Sequence, residues 1–335
     1  MSKFKTLIRL NTPVNIISSS SVVGNREVEG PLGKFFDITL SDDRFGMKTY
    51  EQAESQMVKM SCESTLNKCK YTYGDIDLII GGDLQNQCVG HSFAVADSNS
   101  QYMGIYGACS SMAQGLVLSS LLIDSGHFSN ILTSASSHFS TSERQFRFPL
   151  EYGLQRTPTS QTTVTGAGSF ILSSNIPSDI KVTSALIGII TDRGIKDANN
   201  MGAAMACAAL DTLQRYFAQS DNKESDFDLI LTGDLGIEGA SIVRETCHTY
   251  SLSLGDNYKD CGELIFDSEK QCVFSGGSGC GCSAVVLASY VMELLKKREI
   301  KRVLFVGTGA LLSSGSVLQK MSIPGIAHLV EIVRS

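Results

Sequence analysis

Basic charge is what this sequence most lacks. It sets 28 Lys and Arg against 34 Asp and Glu in 335 residues, a formal net charge of -6. Its short cationic runs, Lys296 to Arg298 and Lys301 to Arg302, read as a helix end and the turn behind it. A nucleic-acid partner is therefore not expected, because phosphate binding needs a concentrated cationic face. A long apolar run is missing as well. Lys3, Lys5 and Arg9 are followed by polar residues from Asn11 to Asn15 and then by four serines, where a signal peptide would carry its hydrophobic segment. The stretch from Ala284 to Leu295 is broken by Ser289, Tyr290 and Glu293 and falls short of the roughly 20 residues of a membrane span. Neither a signal peptide nor a transmembrane span is expected.

Metal and nucleotide signatures are absent in turn. The ten cysteines include Cys280 and Cys282, with Cys261 and Cys272 nearby, but no CxxC pair of the kind that holds structural zinc. Free thiols in a reducing compartment are the expectation, and no metal. The glycines at 276, 277, 279 and 281 follow neither GxxxxGK[ST] nor a dinucleotide fingerprint, so no nucleotide and no cofactor is expected there. They read as the close-packed floor of a pocket.

What the sequence does contain is a duplication. DIDLIIGGDL at 75–84 returns as DFDLILTGDL at 226–235. A buried apolar run ending in Gly-Asp is the pattern of a central parallel strand feeding a loop at its carboxyl end. Around each copy the same elements recur. Helical periodicity over 51–69 and 109–126 matches 201–217 and 283–298, and the strand patterns NILTSAS (130–136) and RVLFVGTG (302–309) match each other. Two α/β halves packed as layers follow, divided as residues 1–185 and 186–335. Residues 138–165 break the symmetry with a connection longer than compact domains carry without a use. It holds His138, Arg144, Arg147 and Arg156 between aromatic residues.

One short stretch carries the chemistry. In GACSSMAQG (107–115), Cys109 stands between small residues at the start of a helix pattern, where free N–H groups and the dipole end would favour a thiolate. GACSS inside a duplicated βαβ half resembles the nucleophile elbow of the thiolase and ketoacyl synthase superfamily. More closely, GPLG (30–33), SSH…ERQFRFPLEYG (136–153), TVTGAG (163–168), DCGELI (260–265), GGSGCGCSA (276–284) and TGALLS (308–313) resemble the stage V sporulation protein AD family. The resemblance runs from about Gly30 to His328. It implies a thiolase-like α/β fold, duplicated βαβαβ halves forming a layered αβαβα architecture, and a homodimer. It also implies binding of dipicolinic acid (pyridine-2,6-dicarboxylate), alone or as its calcium complex, for uptake into the developing spore. Partners would be membrane channel proteins of the same sporulation operon, and the place the cytoplasmic side of the forespore inner membrane, peripherally held.

The resemblance also sharpens the question put to Cys109. In thiolases and condensing enzymes such a cysteine attacks an acyl thioester while His or Asn from the second half handles proton and oxyanion. Here the glycine-rich turn offers Ser278 in that place, and DNYKDCGEL ahead of it has no histidine. The expectation is a binding site without catalytic residues, lined by Cys109, His138, Arg144, Arg147, Asp83, Asn86, Thr163 and Ser278. A dianion with carboxylates about a ring nitrogen suits bidentate arginine. Arg144 and Arg147 share a face only if their segment is helical. The alternative is an acyl-transfer enzyme using Cys109 with His138.

Overall fold

The computed structural model describes residues 6–146 and 156–335. The first half supplies β1 (Leu7–Val23), β2 (Ile38–Thr39), β3 (Leu78–Gly82), β4 (Tyr102–Gly104), β5 (Asn130–Ser137), β6 (Thr162–Thr163) and β7 (Gly166–Ser173). The second supplies β8 (Ile180–Leu186), β9 (Leu229–Thr232), β10 (Tyr258–Asp260), β11 (Gly277–Ser278), β12 (Arg302–Ala310) and β13 (Gly325–Arg334). Both copies of the repeated decapeptide form central strands, β3 and β9, as their apolar runs require.

The duplication extends to topology. The strands lie in the order β1-β7-β5-β3-β4 in one half and β8-β13-β12-β9-β10 in the other. The first two pairings of each series are antiparallel and the last two parallel. The repeat thus restarts at Ile180 in β8, ahead of the division expected after residue 185. β1 and β8 pair antiparallel, which joins the halves in one hydrogen-bonded sheet. That pairing slips between Arg9 and Val14, an irregularity of the kind that bends a strand.

Helices complete five layers. Tyr50–Lys68 covers β1 and β7 on one outer side, and Met201–Phe217 covers β12 and β13 on the other. Between them runs Ser111–Asp124, which touches β3 and β5 of its own half and β12 and β13 of the other. A helix in that place must be apolar nearly all round, and Met112, Ala113, Leu116 and Val117 are buried together with Ser119 and Ser120. The stretch beginning Cys280–Val286 packs on β5 and β7 and makes a π-helical turn at Leu287–Val291 before ending as Met292–Lys296. This is the thiolase-like αβαβα arrangement. No helix among the described residues is long and apolar enough to cross a membrane.

The core also encloses acids. Glu27, Glu54, Asp234 and Asp260 are all buried. Burial is the chief cause that pushes Glu27 up to about 8, Glu54 and Asp260 to about 7 and Asp234 to about 6. Each then holds a proton in the fold at a pH where the unfolded chain, with carboxyl pKa values of about 4, has lost it. Their protonation supports the fold at low pH, and that support is lost as pH rises through the folded values. His138 and His328 act oppositely, since burial lowers their pKa, but only below the unfolded histidine value of about 6.5. The urea midpoint should therefore fall between pH 7 and pH 8, and Glu27→Gln should flatten that decline. A midpoint that rises over this interval would contradict the assignment.

Candidate functional site

The site forms where strand ends from both halves meet the cysteine turn. Ala108 takes φ 49°, a left-handed conformation unusual for a residue with a side chain, and so swings Cys109 out ahead of the helix. The turn is fastened from behind. Ser110 Oγ donates to Gly107 O at 2.6 Å, and Ser111 Oγ donates to Ala108 O at 2.7 Å.

Cys109 faces a cavity of about 110 Å³, of the same order as the cavity of about 150 Å³ that admits benzene. The helix Phe139–Phe146 contributes Ser142, Glu143 and Phe146. Residues 142 and 146 are one helical turn apart and 143 lies beside them, which is why they share this side. Gln161, Thr163, Ser278 and Asn199 complete its polar lining. Thr163 and Ser278 are register partners of the small parallel pair β6–β11, which zips the glycine-rich turn to the end of the long excursion.

Asp234, at the end of β9, governs the thiol. The Cys109 thiol lies beside its carboxylate and feels its charge. The same carboxylate accepts from Gly279 N at 2.8 Å and Thr308 Oγ1 at 2.9 Å. Burial first, and the negative charge of Asp234 next, push the Cys109 thiol well above the usual range. The expected thiolate is thus overturned. The helical run begins only at Ser111, and its dipole end is outweighed by burial and by the neighbouring carboxylate.

Of the expected site residues, Cys109, Thr163 and Ser278 come together, whereas four others turn elsewhere. His138 lies at the end of β5, but its Nε2 donates to Asp43 O at 2.7 Å, its Nδ1 accepts from Ser140 N at 3.1 Å, and its ring packs on Tyr50. Backbone partners on its own side hold it away from the cysteine, and burial lowers its pKa and keeps it neutral. Asp83 is committed to the fold. It accepts from Gln85 N at 2.9 Å and from His91 N at 2.9 Å, with His91 Nδ1 at 3.0 Å. Asn86 is exposed and accepts from Gln145 Nε2 at 2.6 Å. Arg144 is on a helix, but on the side opposite the cavity, where it pairs with Glu51 at 2.8 Å in an exposed bridge. Arg147 lies outside the described residues.

Sequence reasoning missed Ser142, Glu143, Gln161 and Asn199, and it did not place Asp234 among the site residues. Asp234 had a signal, the repeated Gly-Asp-Leu. Gln161 had none, sitting in the aperiodic polar run TPTSQTTV. The excursion's well-buried cation is Arg156, which meets Glu143 at 2.7 Å and packs over Phe139, whose ring also carries Arg26.

Against this geometry stand the relatives. The sequence pattern of the family described as Stage V sporulation protein AD (SpoVAD) matches residues 4–333. The chain belongs to the stage V sporulation protein AD family. A family member from Bacillus subtilis (strain 168) is 41% identical over 323 residues, which span 96% of this chain and 95% of that protein. Solved structures share the fold at low identity. Crystalline 3-oxoacyl-[acyl-carrier-protein] synthase III from Aquifex aeolicus VF5 superposes with a TM-score of 0.57 at 12% identity, covering 95% of this chain and 99% of that one. Cerulenin-bound OleA from Xanthomonas campestris gives 0.60 at 12% identity, covering 96% and 97%.

Removing the charge on Asp234 should release the thiol. In Asp234→Asn, alkylation of Cys109 by iodoacetamide at pH 8 should be about tenfold faster or more, the equivalent of one pKa unit. Mass spectrometry of the Cys109 peptide measures it, and an unchanged rate would remove Asp234 as the restraint.

Proposed function

We propose that this protein is a binding member of the thiolase-like fold, not a catalyst, and that its Cys109 cavity takes dipicolinic acid for delivery into the developing spore. The observation that carries this reading is the partner of the cysteine. An acyl-transfer site needs a base that accepts the thiol proton and a donor pair for the oxyanion. Here burial and a neighbouring buried carboxylate keep the thiol protonated, and the expected base, His138, is engaged with Asp43. Family membership supports the sporulation setting, and a cavity of single-ring size supports a small planar ligand.

The same reading has the protein work at the cytoplasmic side of the forespore inner membrane. It meets the membrane channel proteins of its operon there, as a homodimer, and the ligand arrives alone or with calcium. The rival reading, an acyl-transferase using Cys109, draws on the fold of the condensing-enzyme structures.

Two measurements separate them. After incubation with acetyl and malonyl thioesters, intact mass should show Cys109 unmodified, while calorimetry should show pyridine-2,6-dicarboxylate binding at one site. Turnover-linked acylation would overturn the binding reading. Arg144→Ala should bind the ligand like the parent, because its guanidinium points to Glu51 on the surface. A loss of about tenfold or more, roughly 1.4 kcal/mol, would put that arginine in the site after all.

A further inference from the structure

Two residues that line the cavity carry buried polar atoms without partners, and they belong to different elements. Gln161 is 3% exposed, and its Nε2 donates both to Asp234 O at 2.6 Å and to Gly277 O at 2.9 Å. With two carbonyl acceptors on that nitrogen the amide cannot be turned round. Its Oε1, an obligate acceptor, is then left with no donor. Ser142, 4% exposed on the Phe139–Phe146 helix and also lining the cavity, leaves its Oγ equally unpartnered. Buried polar atoms usually have partners, and two on residues that line one cavity mark where an occupant would be answered.

Charge narrows the occupant further. Among the described lining residues the charged one is Glu143, bridged to Arg156, and the Asp234 carboxylate stands behind Cys109 and Gln161. An acceptor-rich wall with carboxylates at its back repels a bare dianion and leaves Gln161 Oε1 unanswered.

Resting on the proposed ligand, we infer that Gln161 and Ser142 form the specificity element of the cavity and that it takes the diacid with one carboxyl protonated. The neutral carboxyl answers both orphans. Its O–H donates to Gln161 Oε1, and its carbonyl oxygen accepts from Ser142 Oγ. Binding from neutral solution then removes one proton from solvent per ligand, and no bond is made or broken in the protein.

Proton uptake has other possible destinations, and the test must tell them apart. Among the described residues the titratable groups around the cavity are Cys109, Cys280, Asp234, Glu143 with Arg156, Tyr106, and Asp260 behind the β9 loop, where it accepts from Leu235 N and Gly236 N. His138 faces Asp43 instead. Two probes resolve this: pyridine-2,6-dicarboxylate and its monoamide, 6-carbamoylpyridine-2-carboxylate, whose NH₂ is a permanent donor. Calorimetry at pH 7 in chelator, in buffers of different ionisation enthalpy, counts protons for each.

The expected result is one proton taken up with the diacid, with affinity falling about tenfold per pH unit. The monoamide should bind with no uptake and no such slope. Ser142→Ala should weaken both probes and leave the proton count unchanged. Diacid binding without uptake, or only when a divalent cation is added, overturns the inference while leaving the binding function standing. Uptake of one proton with both probes also overturns it, because the proton then goes to the protein. Binding of neither probe overturns the inference and the proposed ligand together.

Discussion

The Asp234 carboxylate is buried beside the Cys109 thiol and held by two donors, neither of them a cation, the Gly279 amide and the Thr308 hydroxyl. These three groups come from different parts of the chain, the first-half elbow, the glycine-rich turn and β12. The residue's own carbonyl binds Gln161 from the long excursion. The elbow, the glycine-rich turn, β12 and the end of the excursion are therefore registered on one residue. A buried charge costs free energy unless it is hydrogen-bonded, so these elements cannot drift apart without exposing it. The arrangement that fixes the cavity is also the one that quiets its cysteine.

Duplication explains how such a residue came to be there. Asp83 and Asp234 end equivalent strands, yet they have opposite careers. Asp83 braces the turn after β3 by taking the His91 amide and imidazole, and Ser134 Oγ lies 3.0 Å from the far ring nitrogen. Asp234 reaches across the interface of the halves to a thiol donated by the other copy. One fold-level repeat thus yields one structural carboxylate and one that defines the site, a difference decided by which neighbour each side chain meets.

The fold was largely legible in the sequence because buried strands and helices impose periods. β3, β5, β9 and β12 and the helices over 51–69, 109–126, 201–217 and 283–298 were visible as apolar periodic patterns. β1 was not. Its NIISSSSVV core reads as polar, yet Ser18 to Ser21 are buried and satisfied one by one, for example Ser18 Oγ on Thr65 O at 2.7 Å and Ser19 Oγ on Ala288 O at 2.8 Å. A hydroxyl that bonds a neighbouring backbone is invisible to a hydropathy pattern. The site was legible in proportion to its constraint. Cys109, Thr163 and Ser278 sit in glycine-rich turns that mark themselves, whereas side chains of the excursion needed the helix Phe139–Phe146 to be known. Once it is known, Arg144 faces outward and Ser142 inward, because a step of two residues along an α-helix turns through about 200°.

The most direct measurement is a crystal structure of the protein grown with pyridine-2,6-dicarboxylate. The account predicts the ring in the cavity between Cys109 and Gln161, with Sγ unmodified and still beside Asp234. A ligand seated elsewhere, or a cysteine turned from Asp234 and covalently modified, would contradict it.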